Sequence, residues 1–451
     1  MTLVRKFGIA LATGTLSLVL ASGAAFAQEE DERDRRDKQE TKQAQAVGKE
    51  IYDRIQKAQE EVDAKNYDGA LRILNQLRSK DNLTDYEKQN VLNYLGFVHY
   101  NMDNIAEAIR IYTEMIQIPT MEDQVKKQTI YTLAQLQTME ENYTEAVKLI
   151  EEFFVLETNP APEPYILYAQ TLYQLNRYAD MVPPIETAME VARKREKEIK
   201  EDWYVLLNFA YFQQENYAKV RDIQKILLVT WPRKRYWFSL AGAYTELGED
   251  DNLVYAYDAA HTQGLLEKES ELVTMAQLFL QAEVPFKAAK LLSDEMESGR
   301  VSGEAENHRL LSQAWQLAQE DEKAIPSLQA AAKATIDGEL DVRLGNAYLN
   351  LGQYENCSEA VENGLRKGGL KSPDNAQISL GMCLYNQRKY RDAIAAFREA
   401  GKERRSARIA GQWISVIESD IDRNEQIRVA EAAARKQAQE LEKRRANTER
   451  I

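Results

Sequence analysis

The chain has 451 residues, a formal net charge of −14, ten prolines, two cysteines and three histidines. An acidic chain of this kind repels phosphate backbones and anionic lipid, which argues against nucleic acid and a charged membrane face as partners. Abundant Leu, Ala and Glu favour helix over strand.

Residues 1–27 read as an export signal. Arg5 and Lys6 form the positive start, and Phe7 to Leu20 is an uncharged, mostly apolar run. Ala25-Phe26-Ala27 is a small-x-small cleavage site, leaving Gln28 as the mature start. The apolar run is shorter than the ~20 residues that span a bilayer, and no later segment is longer or more apolar. The expected location is the periplasm, with no membrane insertion after signal cleavage. Residues 28–46 are nearly all charged or Gln and have little to bury, so a solvated, disordered lead-in is expected.

From residue 47 to 400 amphipathic helical stretches alternate with short polar breaks. Leu95-Gly96, Asn104, Ala108 and Tyr112 form one instance of a recurring pattern. Leu344-Gly345, Tyr348, Tyr354, Leu365 and Pro373 form a second, and Leu380-Gly381, Tyr390, Ala393 and Phe397 a third. Small residues recur where two helices would touch, and large ones recur a turn away to fill the space. Polar-Tyr pairs such as Asn142-Tyr143 and Asn216-Tyr217 precede the second helices, where the Tyr would fill a corner.

These residues resemble the tetratricopeptide repeat (TPR), a 34-residue helix-turn-helix unit. Aligning the residue near the start of each second helix gives Ala70, Ala108, Ala146, Met181, Val220, Leu253, Ala288, Ala324, Cys357 and Ala393. Met181, Val220, Leu253 and Cys357 depart from the small-residue rule, so irregular units are expected there. The charged run Arg193 to Asp202 is read as a lengthened helix accounting for the 39-residue step to Val220. The resemblance implies an all-α, TPR-like α-solenoid: a right-handed superhelix of about ten helical hairpins. A capping helix is expected within 401–423, carrying Trp413, and a charged helical tail within 424–451.

No chemistry-bearing motif stands out. His99, His261 and His308 lie far apart, without metal-ligand spacing, and there is no phosphate loop or nucleophile elbow. The reading is therefore not an enzyme, with no catalytic residue, cofactor or metal. The basic and aromatic run Trp231 to Trp237 places Trp237 on the repeat's own Trp position, which favours packing over anion binding. Cys357 and Cys383 fall on adjacent helices of neighbouring units. In an exported protein they are a candidate disulfide, with two buried free thiols as the alternative.

In the family the first helices line a concave groove, and groove positions are set by their offset from the Leu-Gly pair. That offset implies Asn93, Phe97, Tyr100 and Asn101 in unit two, Tyr131 and Gln135 in unit three, Gln170 and Tyr173 in unit four, and Phe209, Phe212 and Gln213 in unit five. Amides donate to and accept from a peptide backbone, and aromatics supply contact area, so an extended protein segment is the expected ligand. The export signal, charged mature start, divergent repeats and charged tail also resemble the periplasmic TPR proteins that accompany TonB energy-transduction systems. That likeness implies a scaffold in TonB-dependent transport, with TonB-system components or outer-membrane receptors as protein partners. The alternative is an envelope-assembly adaptor for peptidoglycan or outer-membrane protein biogenesis.

Overall fold

The computed structural model describes residues 48–448, with side chains to 442. The expected signal and the whole of the expected lead-in lie outside the described residues, so the structure does not bear on them. Among the described residues there are 21 α-helices and no strand. Twenty of them form ten successive hairpins. The first five are α1 (Lys49–Asp63) with α2 (Tyr67–Arg78), α3 (Asp85–Asn101) with α4 (Ile105–Met115), α5 (Asp123–Met139) with α6 (Tyr143–Leu156), α7 (Pro162–Gln174) with α8 (Val182–Lys194), and α9 (Glu201–Gln213) with α10 (Tyr217–Thr230). The next five are α11 (Lys234–Leu247) with α12 (Asp250–Thr262), α13 (Glu269–Gln281) with α14 (Pro285–Glu297), α15 (Ala305–Leu317) with α16 (Asp321–Ala334), α17 (Glu339–Asn350) with α18 (Tyr354–Lys367), and α19 (Pro373–Asn386) with α20 (Tyr390–Ala400). Helix α21 (Ala407–Thr448) follows. The chain divides into two compact units between Pro232 and Arg233.

Each hairpin is closed at its turn by one residue with positive φ, two positions before the second helical segment begins. The ten are Lys65, Asp103, Glu141, Asn176, Glu215, Gly248, Glu283, Gln319, Gly352 and Arg388. In the fourth hairpin the segment that follows is a 3-10 turn, Tyr178–Met181, which leads into α8. Only two of the ten are glycines, so eight side-chain-bearing residues hold the left-handed conformation that glycine adopts freely. In several turns the following residue caps the second helix. The Asn66 and Asn216 side chains accept from the backbone N–H of Gly69 (3.2 Å) and Lys219 (3.3 Å).

The ten residues aligned in the sequence all fall on the fourth residue of the segment after this turn, and nine of them are buried. Leu253 is only half-buried. Facing them, the Leu-Gly glycines let the helices approach. A Cβ on Gly96 would lie 2.6 Å from the Tyr112 ring, and one on Gly381 would lie 2.7 Å from the Phe397 ring. Each unit thus carries its own continuous apolar core, running from Ile51 to Leu167 in the first and from Ala260 to Ile417 in the second.

The open ends of the hairpins are tied by polar contacts. Lys80 donates to Glu50 (2.6 Å) across 30 residues, and Lys127 to Glu157 (2.8 Å) across 30. Ser302 donates to Glu269 (2.6 Å) across 33 residues, and Lys367 to Asp341 (2.7 Å) across 26. Each joins the start of a first helix to the chain leaving the second helix of the same hairpin.

Two expectations need correction. The run Arg193 to Asp202 is not one lengthened helix. Helix α8 ends at Lys194, Glu196 takes a positive φ of 53°, and α9 starts at Glu201, so the extra residues form a connection. The run offers almost no apolar side chain to hold a helix against the core. Conversely, the capping helix and the charged tail are one element. Residues 412–448 contain no Gly or Pro to end it, and α21 runs unbroken from Ala407 to Thr448.

Candidate protein-binding surface

The predicted surface residues sit on α3, α5, α7 and α9, the first helices of four hairpins in the first unit. Helix α3 is enclosed along its middle, where six successive residues from Val91 to Gly96 are buried. Asn93 is only 8% exposed, so it does not stand open to a partner as the family offset implied. Phe97 and Tyr100 are half-buried, and Asn101 is exposed with its amide donating to the Phe97 carbonyl at 2.8 Å. Tyr131 is half-buried, its ring 5.1 Å from Phe153, and burial pushes its hydroxyl pKa up. Gln135, one turn on, is half-buried.

The residues that come together are on α7 and α9. The rings of Tyr173 and Phe209 meet edge to face at 5.1 Å, and Tyr178 meets Phe209 at 5.4 Å. One turn along α9, Phe212 is 51% exposed and touches Tyr217 at 6.0 Å, with Gln213 exposed beside it. Gln170 is exposed one turn before Tyr173. Five aromatic rings and two free-standing amides therefore share adjoining parts of two helices and the turns that follow them. Edge-to-face contacts hold the inner rings in place, leaving their outer edges and Phe212 as rigid apolar area.

Tyr178 and Tyr217 also belong to this cluster, although a Tyr at this position in the repeat pattern implies only a corner filler. The signal for them was present in the polar-Tyr pairs. Each Tyr follows the left-handed turn residue by two positions, and this directs it against the preceding first helix. Arg177 binds Asp180 at 2.7 Å. Tyr168 donates to Glu151 at 2.6 Å, and burial together with that carboxylate pushes its hydroxyl up to about 12. Tyr211 donates to Glu186 at 2.7 Å and is likewise pushed up to about 12, burial first. These two hydroxyls stay neutral at physiological pH.

The remaining candidates have structural surroundings. Cys357 on α18 and Cys383 on α19 are both fully buried, with Cα atoms 5.9 Å apart, and are joined as a disulfide. In the basic and aromatic run, Lys234 binds Glu271 at 2.9 Å, Arg235 lies over the Tyr236 ring at 4.6 Å and Tyr236 is buried. The histidines stay apart. His261 faces Glu295 at 3.3 Å, His308 faces Ser327 at 3.5 Å, and burial lowers the pKa of His99. No group of three metal-ligating side chains occurs among the described residues.

Residues 342–366, spanning α17 and α18, match the tetratricopeptide repeat family. No curated protein matches the sequence. Among solved structures the chain is similar to a tetratricopeptide repeat protein from Parabacteroides merdae, at 16% identity and a TM-score of 0.36, covering 59% of this chain and 99% of that one. It is similar to the TPR2AB domain of yeast Sti1 in complex with pHSP90, at 14% identity and a TM-score of 0.33, covering 60% and 99%. It is similar also to MamA, at 20% identity and a TM-score of 0.32, covering 38% and 97%. The matched hairpin, and the recurrence of its turn in the other nine, make this an all-α solenoid of helical hairpins like those of the tetratricopeptide repeat.

Proposed function

We propose that the protein is a non-enzymatic periplasmic scaffold that binds extended segments of other proteins through the amide and aromatic surface of α7 and α9. The observation that carries this reading is Phe212. A large apolar ring half open to water, next to a fixed aromatic cluster and two exposed glutamines, is an anchor site awaiting a partner. Helical-hairpin solenoids bind through such side-chain-lined surfaces.

The partner class follows from the sequence. The export signal and the likeness to periplasmic TPR proteins that accompany TonB systems support a role in TonB-dependent transport. The scaffold would then hold TonB-system components or outer-membrane receptors.

The test is a photo-crosslinking amino acid placed at Gln213 in cells, with one at Lys148, on the exposed side of α6, as control. Crosslinks from Gln213 to TonB, its proton-channel partners or an outer-membrane receptor, absent from Lys148 and reduced by Phe212→Ala, are the expected result. Crosslinks to cell-wall enzymes or outer-membrane assembly factors would replace the TonB reading with the envelope-assembly one. Equal labelling at both positions would overturn this surface as the binding site.

A further inference from the structure

Helix α21 begins as the first helix of an eleventh hairpin. Ala410 and Ile417 are buried, and Trp413 stacks on Phe397 at 5.6 Å and meets Tyr385 at 5.5 Å. No second helix follows it among the described residues. Ile409 and Val416, on the flank next to the packed face, are both exposed.

That exposed flank does not stop at the end of the solenoid. Ile409, Val416, Ile427, Ala434 and Leu441 are all exposed and are spaced by 7, 11, 7 and 7 residues. This is 32 residues in nine turns, about 3.6 per turn, the period of a straight α-helix. The five side chains therefore form one stripe, widened by Ala430 and Ala438. From Asp422 to Glu442 every residue is exposed, so this length of helix has no tertiary partner among the described residues. A helix without a packed face is marginal in water, and its stability comes mainly from what its apolar stripe covers.

The charges along the stripe say what covers it. Residues 418–431 hold five carboxylates and two arginines, and residues 435–445 hold five cations and two carboxylates. The two stretches are opposite in sign and similar in length, so the helix is complementary to itself when reversed. We propose that α21 pairs antiparallel with α21 of a second copy of this chain, about a two-fold axis at Ala434. This register sets Ile427 across from Leu441 and Arg428 across from Glu440. It places the small Ala430, Ala434 and Ala438 at the centre, where the helices can approach closely. A parallel pair would set acid against acid and base against base.

Sedimentation equilibrium of the exported protein tests this. The expected result is twice the monomer mass, with salt weakening the association and the double variant Ile427→Glu/Leu441→Glu returning it to the monomer. Those positions are exposed, so circular dichroism of the variant should keep the solenoid's melting transition. Ala434→Cys should give a reducible covalent dimer. Ile427→Cys should not do so alone but should when mixed with Leu441→Cys protein. A monomer at the highest soluble concentration, a dimer that survives the double Glu substitution, or Ile427→Cys self-crosslinking as readily as Ala434→Cys would overturn the proposal.

Discussion

The carboxylate of Asp374, near the start of α19, has no solvent exposure and grips the guanidinium of Arg405, 31 residues further on. The Arg405 Nε donates at 2.6 Å, a second guanidinium nitrogen also bonds, and the Ser406 hydroxyl donates at 2.6 Å. This contact ties the segment entering α21 to the last hairpin. The arginine and serine bonds hold the Asp374 carboxyl well below the usual carboxylate range. Its folded pKa is depressed, so its stabilisation is complete above the ordinary value near 3.8 and is lost as pH falls from there toward the folded pKa. The near-ultraviolet circular dichroism contributed by Trp413, taken as the difference from a Trp413→Phe variant, should show α21 loosening in that acid window. Asp374→Asn should remove that acid-dependent step and loosen α21 already at neutral pH.

The Leu-Gly glycines are tested by adding one methyl. In Gly381→Ala the new Cβ would meet the Phe397 ring, which is buried and cannot withdraw. The expected cost is about 1–3 kcal/mol, the range for overpacking a tight core. Gly411→Ala, where nothing lies within 4 Å, should be neutral or stabilising. Equal melting temperatures for the two variants would contradict the close approach of α19 and α20.

The left-handed turns make an opposite prediction. Gly352, at φ 70°, should resist Ala, with a loss of about 1 kcal/mol, whereas Glu283→Gly should gain up to about 1 kcal/mol by relieving a β-carbon from that conformation. Urea melts of both variants check the sign. A loss in both would mean that the Glu283 side chain supplies something the turn needs.

Reduction should weaken the second unit selectively. Closing a loop between residues 26 apart contributes about 3 kcal/mol in chain-entropy accounting. Cys357→Ala/Cys383→Ala should lower the denaturant midpoint of the second unit and make it insensitive to reductant. The midpoint of the first unit, which contains no cysteine, should stay where it is.

The fold was largely legible because its determinants are residue types at fixed spacing. Ala70, Ala108 and Ala393 sit fully buried at the fourth residue of their second helices, and Gly96 and Gly381 sit where an aromatic ring presses on the neighbouring helix. The turns were not legible in the same way. Lys65, Glu141, Glu215 and Arg388 are ordinary charged residues whose left-handed conformation is imposed by the two helices they join, and their chemistry carries no sign of it. Among the surface residues, Tyr173, Phe209, Phe212 and Gln213 were found by their offset from the repeat pattern. Asn93 obeys the same offset, but α3 is buried on more sides than α7 or α9, and an offset rule cannot register how deeply a given helix is enclosed. The long helix does not show as one element in the sequence because the composition changes after Arg423, although the change brings no helix-breaking residue.

The polar ties at the hairpin bases reach no further along the chain than the hairpin each one closes. Pulled by its ends, the protein meets no distant latch to release first among the described residues. It should lengthen in a staircase of similar small steps, each the peeling of one hairpin. One step should come up short. The bond between Cys357 and Cys383 keeps the 26-residue stretch between them out of the stretched length, roughly 90 Å of contour at about 3.5 Å per residue, until a reductant is added.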